Sequence, residues 1–174
     1  LVAVAAPAMA WENPQGTEFT ATAIMDTPEG TRRMPVTLIA RRFASVQEAQ
    51  RLQEVLANGG QGALLSALRG SQNGLLRLGA LEFPVNLVAA EETRDGYELV
   101  FVTSRRIQVE EREFSSESLD YPFGVAVFEV RDFGAGEGTI YPQAAIRVDL
   151  DDETVVVEQY DGEPGSLIDV KKVR

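Results

Sequence analysis

Polar and apolar positions change period along the chain, and the changes mark its elements. From Glu18 to Ala23, polar residues alternate with small or apolar ones, as in a strand with one buried face. Asp26 to Gly30 is turn chemistry, with Pro28 and Gly30 as punctuation. Met34 to Phe43 is β-branched and apolar enough for a second strand, so the pair predicts a hairpin. The period then becomes helical: Ala49, Leu52 and Leu56 follow Ser45-Val46-Gln47-Glu48. That tetrapeptide has the form of a capping box, in which the Ser hydroxyl accepts from a backbone N–H and Glu48 reaches back. Asn58-Gly59-Gly60 supplies a stop, and Gly62 to Leu68 predicts a second short helix ended by Gly70.

Strand patterns dominate from Leu75 onward. Leu81 to Ala89 is expected as a strand, and Pro84 places it at an edge or a bulge. Asp95-Gly96 is a hairpin signal between Val85–Val88 and Tyr97–Val102. Phe123 to Asp132 predicts a strand, and Gly134 to Gly138 a turn. Ala144 to Leu150 alternates cleanly, Asp151-Asp152-Glu153 turns the chain, and Val155-Val156-Val157 returns it. Asp161 to Gly165 is a further turn before a last strand, Leu167 to Val173. Short connections imply antiparallel neighbours. The expected fold is α+β and β-dominated: an antiparallel sandwich or incomplete barrel of about eight to nine strands, with a two-helix insertion near residues 45–69.

The first ten residues, Leu1 to Ala10, are small or apolar and carry no charged side chain. Ala8-Met9-Ala10 is an A-x-A cleavage signature, so the run is expected to be the end of a signal peptide. The alternative is an apolar first strand or a short buried segment. Export to the periplasm or outside the cell would follow, with Trp11 as the first mature residue and residues 11–174 as one β-rich domain. No run approaches the roughly 20 apolar residues of a membrane span.

Composition narrows the chemistry. Of 174 residues, 27 are acidic and 16 basic, a formal net charge of −11. Such a field repels phosphate backbones and anionic lipid, so neither nucleic-acid binding nor membrane insertion is expected. The chain has neither cysteine nor histidine. Disulfides, thiolate zinc sites, cysteine nucleophiles and Ser-His-Asp catalysis are thereby excluded.

The order of features resembles a group of uncharacterised exported bacterial proteins of acidobacterial-type genomes. The stretches that carry the resemblance are Phe19–Ala23, the Ser45–Leu68 helix pair, Thr103–Ile107, Leu119–Phe123, Gly136–Gly138, the acidic hairpin and the Leu167–Lys172 tail. It implies export and compactness only.

Candidate chemistry is sparse. Arg105 and Arg106, at a strand end, with Asp120 and Tyr121 further on, form a candidate binding set for a carboxylate or sulfate, because the guanidinium fork matches such anions. A surface Arg–Asp pair is the plainer reading. Glu110, Glu111, Glu113, Glu117 and Asp120, and separately Asp149, Asp151, Asp152 and Glu153, are acid-rich, yet lack a calcium-loop pattern. No metal or cofactor is expected. Gly134–Gly138 lacks the Lys-Ser/Thr of a phosphate loop, and Ser115-Ser116 lacks an activating base. The aromatics Trp11, Phe19, Tyr97, Phe101, Phe123, Phe128, Tyr141 and Tyr160 are expected mostly in the core.

The leading expectation is therefore a non-catalytic exported domain that binds a small molecule or another protein. A carboxylate-based hydrolase acting on saccharide is one alternative. A β-barrel carrier of a small apolar ligand is another. Self-association through an edge strand is a third.

Overall fold

The structure, a computed structural model, describes residues 16–107, 120–152 and 154–173. Ten strands and one helical element follow in the order β1 (Thr17–Thr27), β2 (Gly30–Ala40), α1 (Val46–Leu68), β3 (Gly74–Leu78), β4 (Leu81–Val85), β5 (Leu87–Thr93), β6 (Gly96–Thr103), β7 (Phe123–Arg131), β8 (Gly136–Asp149), β9 (Thr154–Gln159) and β10 (Gly165–Lys172). All pairings are antiparallel. The sheet runs β4-β3-β2-β1-β10-β8-β7-β6-β5, with β9 attached to β8. It curls into a nearly closed barrel.

Its two ends meet in one polypeptide segment. β4 pairs with β3 and β5 pairs with β6, and only Asn86 separates β4 from β5. The predicted strand Leu81–Ala89 is thus two strands joined at a corner. Asn86 holds that corner: its N–H donates to the Val102 carbonyl at 2.9 Å, and its carbonyl accepts from Asn73 Nδ2 at 2.6 Å. Its Nδ2 donates to the carbonyls of Leu68 (3.2 Å) and Ser71 (2.7 Å), and its Oδ1 accepts from the Ser104 N–H at 2.7 Å. A buried amide is stable only when so satisfied. Pro84 sits in β4, whose one ladder partner is β3, as its missing N–H requires.

The barrel interior is filled. Phe19, Phe101 and Phe128 form a triad with centroid separations of 6.4, 5.6 and 5.4 Å. Leu38, Leu76, Leu99, Ile140 and Leu167 pack around them, each at most 1% exposed.

β8 serves two partners along one edge. Its first part pairs with β10 and its second, from Ala144, with β9. The segment Gly134–Gly138 is therefore only partly the turn expected from sequence: Gly136 and Gly138 lie within β8. A Cβ at Gly138 would run into the Val127 carbonyl and Phe128, so glycine here lets β8 approach β7 closely.

The expected helix pair is one element broken at Gly60, whose φ of 73° no helix accommodates. Ser45 caps it, its hydroxyl accepting from the Glu48 N–H at 3.1 Å. The Glu48 carboxylate reaches back to the Ser45 backbone, as a capping box does. It also takes both arms of Arg42, at 2.7 and 2.9 Å, while Arg42 Nε donates to Asn73 Oδ1 at 3.0 Å. That hydrogen-bonded pairing lowers the Glu48 pKa and raises that of Arg42.

Candidate functional site: an apolar cleft between the helix and the outer sheet face

Strands β5, β6 and β7 bury both faces. Inward-pointing Val88, Ala90, Leu99, Phe101, Ala126 and Phe128 belong to the barrel core. The alternate side chains point outward and stack in rows set by register. Leu87 faces Val102, which faces Val125; Ala89 faces Val100, which faces Val127. The helix lies over these rows, pressing Leu52, Leu56, Leu64 and Leu68 into a second cluster with Val102, Phe123, Val125 and Ile146.

The cover is incomplete. A half-open cleft of about 70 Å³ remains between α1 and the sheet. Its floor includes Ala89, Val100 and Val102, its far wall Ile146, Val155 and Val157, and its roof Leu52, Leu56 and Leu64. Gln53 is the one polar side chain among the lining residues. Of the lining, Val100, Val155 and Val157 stay half-buried, so apolar surface faces the opening.

Gln61 fixes the helix over this floor. Immediately after the Gly60 break, its Oε1 accepts from the Ile146 N–H at 2.7 Å and its Nε2 donates to the Asp120 carbonyl at 3.0 Å. At the other end, Asn86 takes the Leu68 carbonyl into the barrel corner. The roof is thereby tied to the sheet at both ends of its second arm.

One step beyond the apolar rows the floor changes character. Glu91 faces Glu98, which faces Glu129, all on the same outer face. Burial, and then the charges of Glu91 and Glu129, raise the Glu98 pKa above the ordinary glutamate value. Among the described residues this row sets carboxylates opposite one another on adjacent strands, one register step from the apolar rows.

The residues singled out from sequence go to different partners. Arg105 is exposed and lies over the Phe83 ring, 5.7 Å from its centroid, a cation–π contact at β4. Its carbonyl accepts from the Thr103 hydroxyl. Arg106 is half-buried beside Ile107, whose N–H donates to the Pro142 carbonyl at 2.7 Å. Asp120 meets the helix through its carbonyl. The Tyr121 hydroxyl donates to Glu158 Oε1 at 3.1 Å, its ring lies 4.9 Å from that of Tyr160, and the bond to Glu158 raises its pKa. Asp120 and Tyr121 thus sit where β8, β9 and the helix break meet, whereas Arg105 is held at β4.

Of the acidic candidates, Asp149 Oδ1 accepts from the Asp151 N–H at 2.9 Å, a local turn. Glu110, Glu111, Glu113, Glu117, Ser115, Ser116, Glu153, Trp11 and the Leu1–Ala10 run lie outside the described residues. Among the described residues no group of three acidic side chains is placed to hold a metal ion. No described helix is long and apolar enough to cross a membrane.

Sequence reasoning missed the cleft. Its signal was present: Leu99–Val102 and Phe123–Phe128 are nearly continuous apolar runs, which mean burial on both faces rather than one. No family model, curated protein or solved structure matches the chain.

Proposed function

We propose that this chain is an exported, non-catalytic binding domain that takes a small apolar molecule, or the apolar part of one, into the cleft beneath α1. The observation that carries the reading is the cleft lining: thirteen of its fourteen side chains are apolar and several stay half-buried. Small-molecule sites are typically concave and mostly apolar, with few polar groups. The barrel interior offers no such room, because the phenylalanine triad and its aliphatic neighbours occupy it. The carrier idea therefore moves from the inside of the barrel to its outer face. Export rests on the Leu1–Ala10 pattern.

The test is a titration with N-phenyl-1-naphthylamine, a neutral apolar dye that brightens out of water. Saturable brightening is expected with the native chain. Ala89→Phe, which fills the cleft floor, should cut dye affinity at least tenfold while leaving the circular dichroism spectrum unchanged. Unsaturable brightening, or equal affinity in the folded variant, would refute the reading. A mature chain beginning near Trp11 on sequencing of the secreted product supports export; one beginning near Leu1 removes it.

A further inference from the structure

A strand with only one neighbour presents a row of unpaired backbone groups, and such an edge readily accepts another strand. This chain covers most of its edges. Pro84 occupies β4, the Val88 carbonyl of β5 accepts from the Ala44 N–H at 2.8 Å, and the two strands meet at the Asn86 corner. Beyond Ala144, where β8 parts from β7, Gln61 takes the Ile146 N–H on that side. Among the described residues, β9 has β8 on one side and no strand on the other. Lysine, proline and a bulge, the usual devices that blunt an edge, are all absent from it. The ladder fixes which groups face outward. The Tyr160 N–H donates to the Gln143 carbonyl at 2.9 Å, one step past the Gln159–Ala144 pair. In an antiparallel ladder such bonded pairs alternate with pairs whose groups point away. Glu158, Val156 and Thr154 therefore bond to β8, and Gln159, Val157 and Val155 turn their backbone groups outward. The Ile146 N–H, opposite Val157, points away from β9 to Gln61, as this phase requires.

Side chains beside this edge set the chemistry of what fits. Val155 and Val157 stand on the cleft side with Ile146 and Val148, and Val156, 44% exposed, stands on the other. The edge is about 20 Å long, the span of its strand. Both its ends are acidic: Asp151 and Asp152 precede it, Asp161 and Glu163 follow it, and all four are exposed. A second copy pairing antiparallel about a twofold axis would bring the leading acids of each chain to the trailing acids of the other. Like charges opposite one another oppose such self-pairing. We infer that the outer edge of β9 takes an extended segment of another polypeptide as an added antiparallel strand, β-branched over its middle and basic at both ends. The backbone groups of Val155, Val157 and Gln159 bond the segment, Val156 packs on it, and the acids at the two ends meet its lysines or arginines. The binding site so formed is separate from the cleft, because its contacts are backbone groups on the strand's outer edge.

The experiment uses a fluorescein-labelled peptide, Lys-Lys-Val-Thr-Val-Thr-Val-Lys-Lys, read by fluorescence anisotropy. Two controls accompany it. One has glutamate at every lysine position; the other is N-methylated along its Val-Thr run, which keeps the charge and prevents strand pairing. The native chain should bind the basic peptide saturably and roughly tenfold more tightly than the acidic control. N-methylation should abolish binding. In hydrogen exchange the peptide should slow the amides of Val155, Val157 and Gln159, and leave those of Val156 and Glu158, already bonded to β8, nearly unchanged. Val157→Pro deletes the central outward donor and should weaken binding roughly tenfold, with a thermal melt verifying its fold. Should that variant not fold, the N-methylated control decides alone. Equal binding of the N-methylated peptide would reduce the effect to attraction by an acidic surface and overturn the inference. Protection confined to other strands, or an acidic control that binds as tightly, would overturn it too. So would sedimentation of the chain alone as a dimer with the same three amides protected, which would assign the edge to a second copy.

Discussion

The two faces of the sheet at β5, β6 and β7 are built from the same strands and behave as different materials. The inner face closes on itself: the barrel wraps it, and Phe19 meets Phe101 and Phe128 edge to face while those two rings are tilted against each other. The outer face depends on one broken helix for its cover, and that helix leaves Val100, Val127, Val155 and Val157 half-buried. A closed sheet can fill its interior with its own side chains, since every strand contributes. A single helix of 23 residues, split at Gly60, covers a narrower strip than four or five strands present. The uncovered remainder is the cleft. Binding room in this fold therefore arises outside the barrel.

Substitutions should separate the two faces by the size of their effect. Phe101→Ala empties the middle of the interior, and about 4 kcal/mol of unfolding free energy should be lost in a urea melt. A loss as small as that of an outer-face change would mean that the interior is loosely packed. Asn86→Ala removes the group that serves both faces. It strips partners from the Leu68 and Ser71 carbonyls and the Ser104 N–H, so about 3 kcal/mol is expected, with hydrogen exchange rising at both the end of α1 and the end of β6. Exchange confined to the helix would show that the corner holds without it. Leu56→Ala, under the roof, should cost about 2 kcal/mol, the low end for a buried leucine, because the cleft already lies beside it.

The smallest effect has the opposite sign. Glu98→Gln removes like-charge repulsion and should stabilise the fold by a few tenths of a kcal/mol at neutral pH. The folded state raises the Glu98 pKa, so it holds that proton more tightly than the unfolded chain does. That contribution favours folding at acid pH. It is lost as pH rises from the ordinary glutamate range through the raised value. Native chain and variant should accordingly melt together below the unperturbed glutamate pKa and diverge above it. Divergence that grows towards acid would contradict the carboxylate row.

Much of the architecture was legible because it is written in local patterns. The alternation around Phe19, Ala21 and Ala23 marked β1, Asp95-Gly96 marked the β5–β6 hairpin, and Ser45 marked the start of α1. The strand total rose from eight or nine to ten because Gly74–Leu78 is short and because Leu81–Ala89 breaks at Asn86. Nothing local distinguishes Asn86 in a run of Val and Leu. Its role comes from Leu68, Ser71, Asn73 and Ser104, which folding brings to it. Of the binding set drawn from sequence, Arg105, Arg106, Asp120 and Tyr121, Tyr121 meets Glu158, 37 residues further on, and Arg105 meets Phe83, partners that chain proximity does not name. The cleft escaped notice for a related reason. Its floor is spelled out in the apolar runs of β6 and β7, but its roof is distant in sequence, and the gap between them is a property of how well one covers the other.

Xenon is a direct probe of which face holds accessible apolar space, since it enters apolar cavities without needing a polar contact. In a crystal of the protein under xenon pressure, density is predicted between Leu52, Leu56, Val100 and Val157, and none among Phe19, Phe101 and Phe128. Xenon inside the barrel, or an empty space beneath α1, would contradict the account.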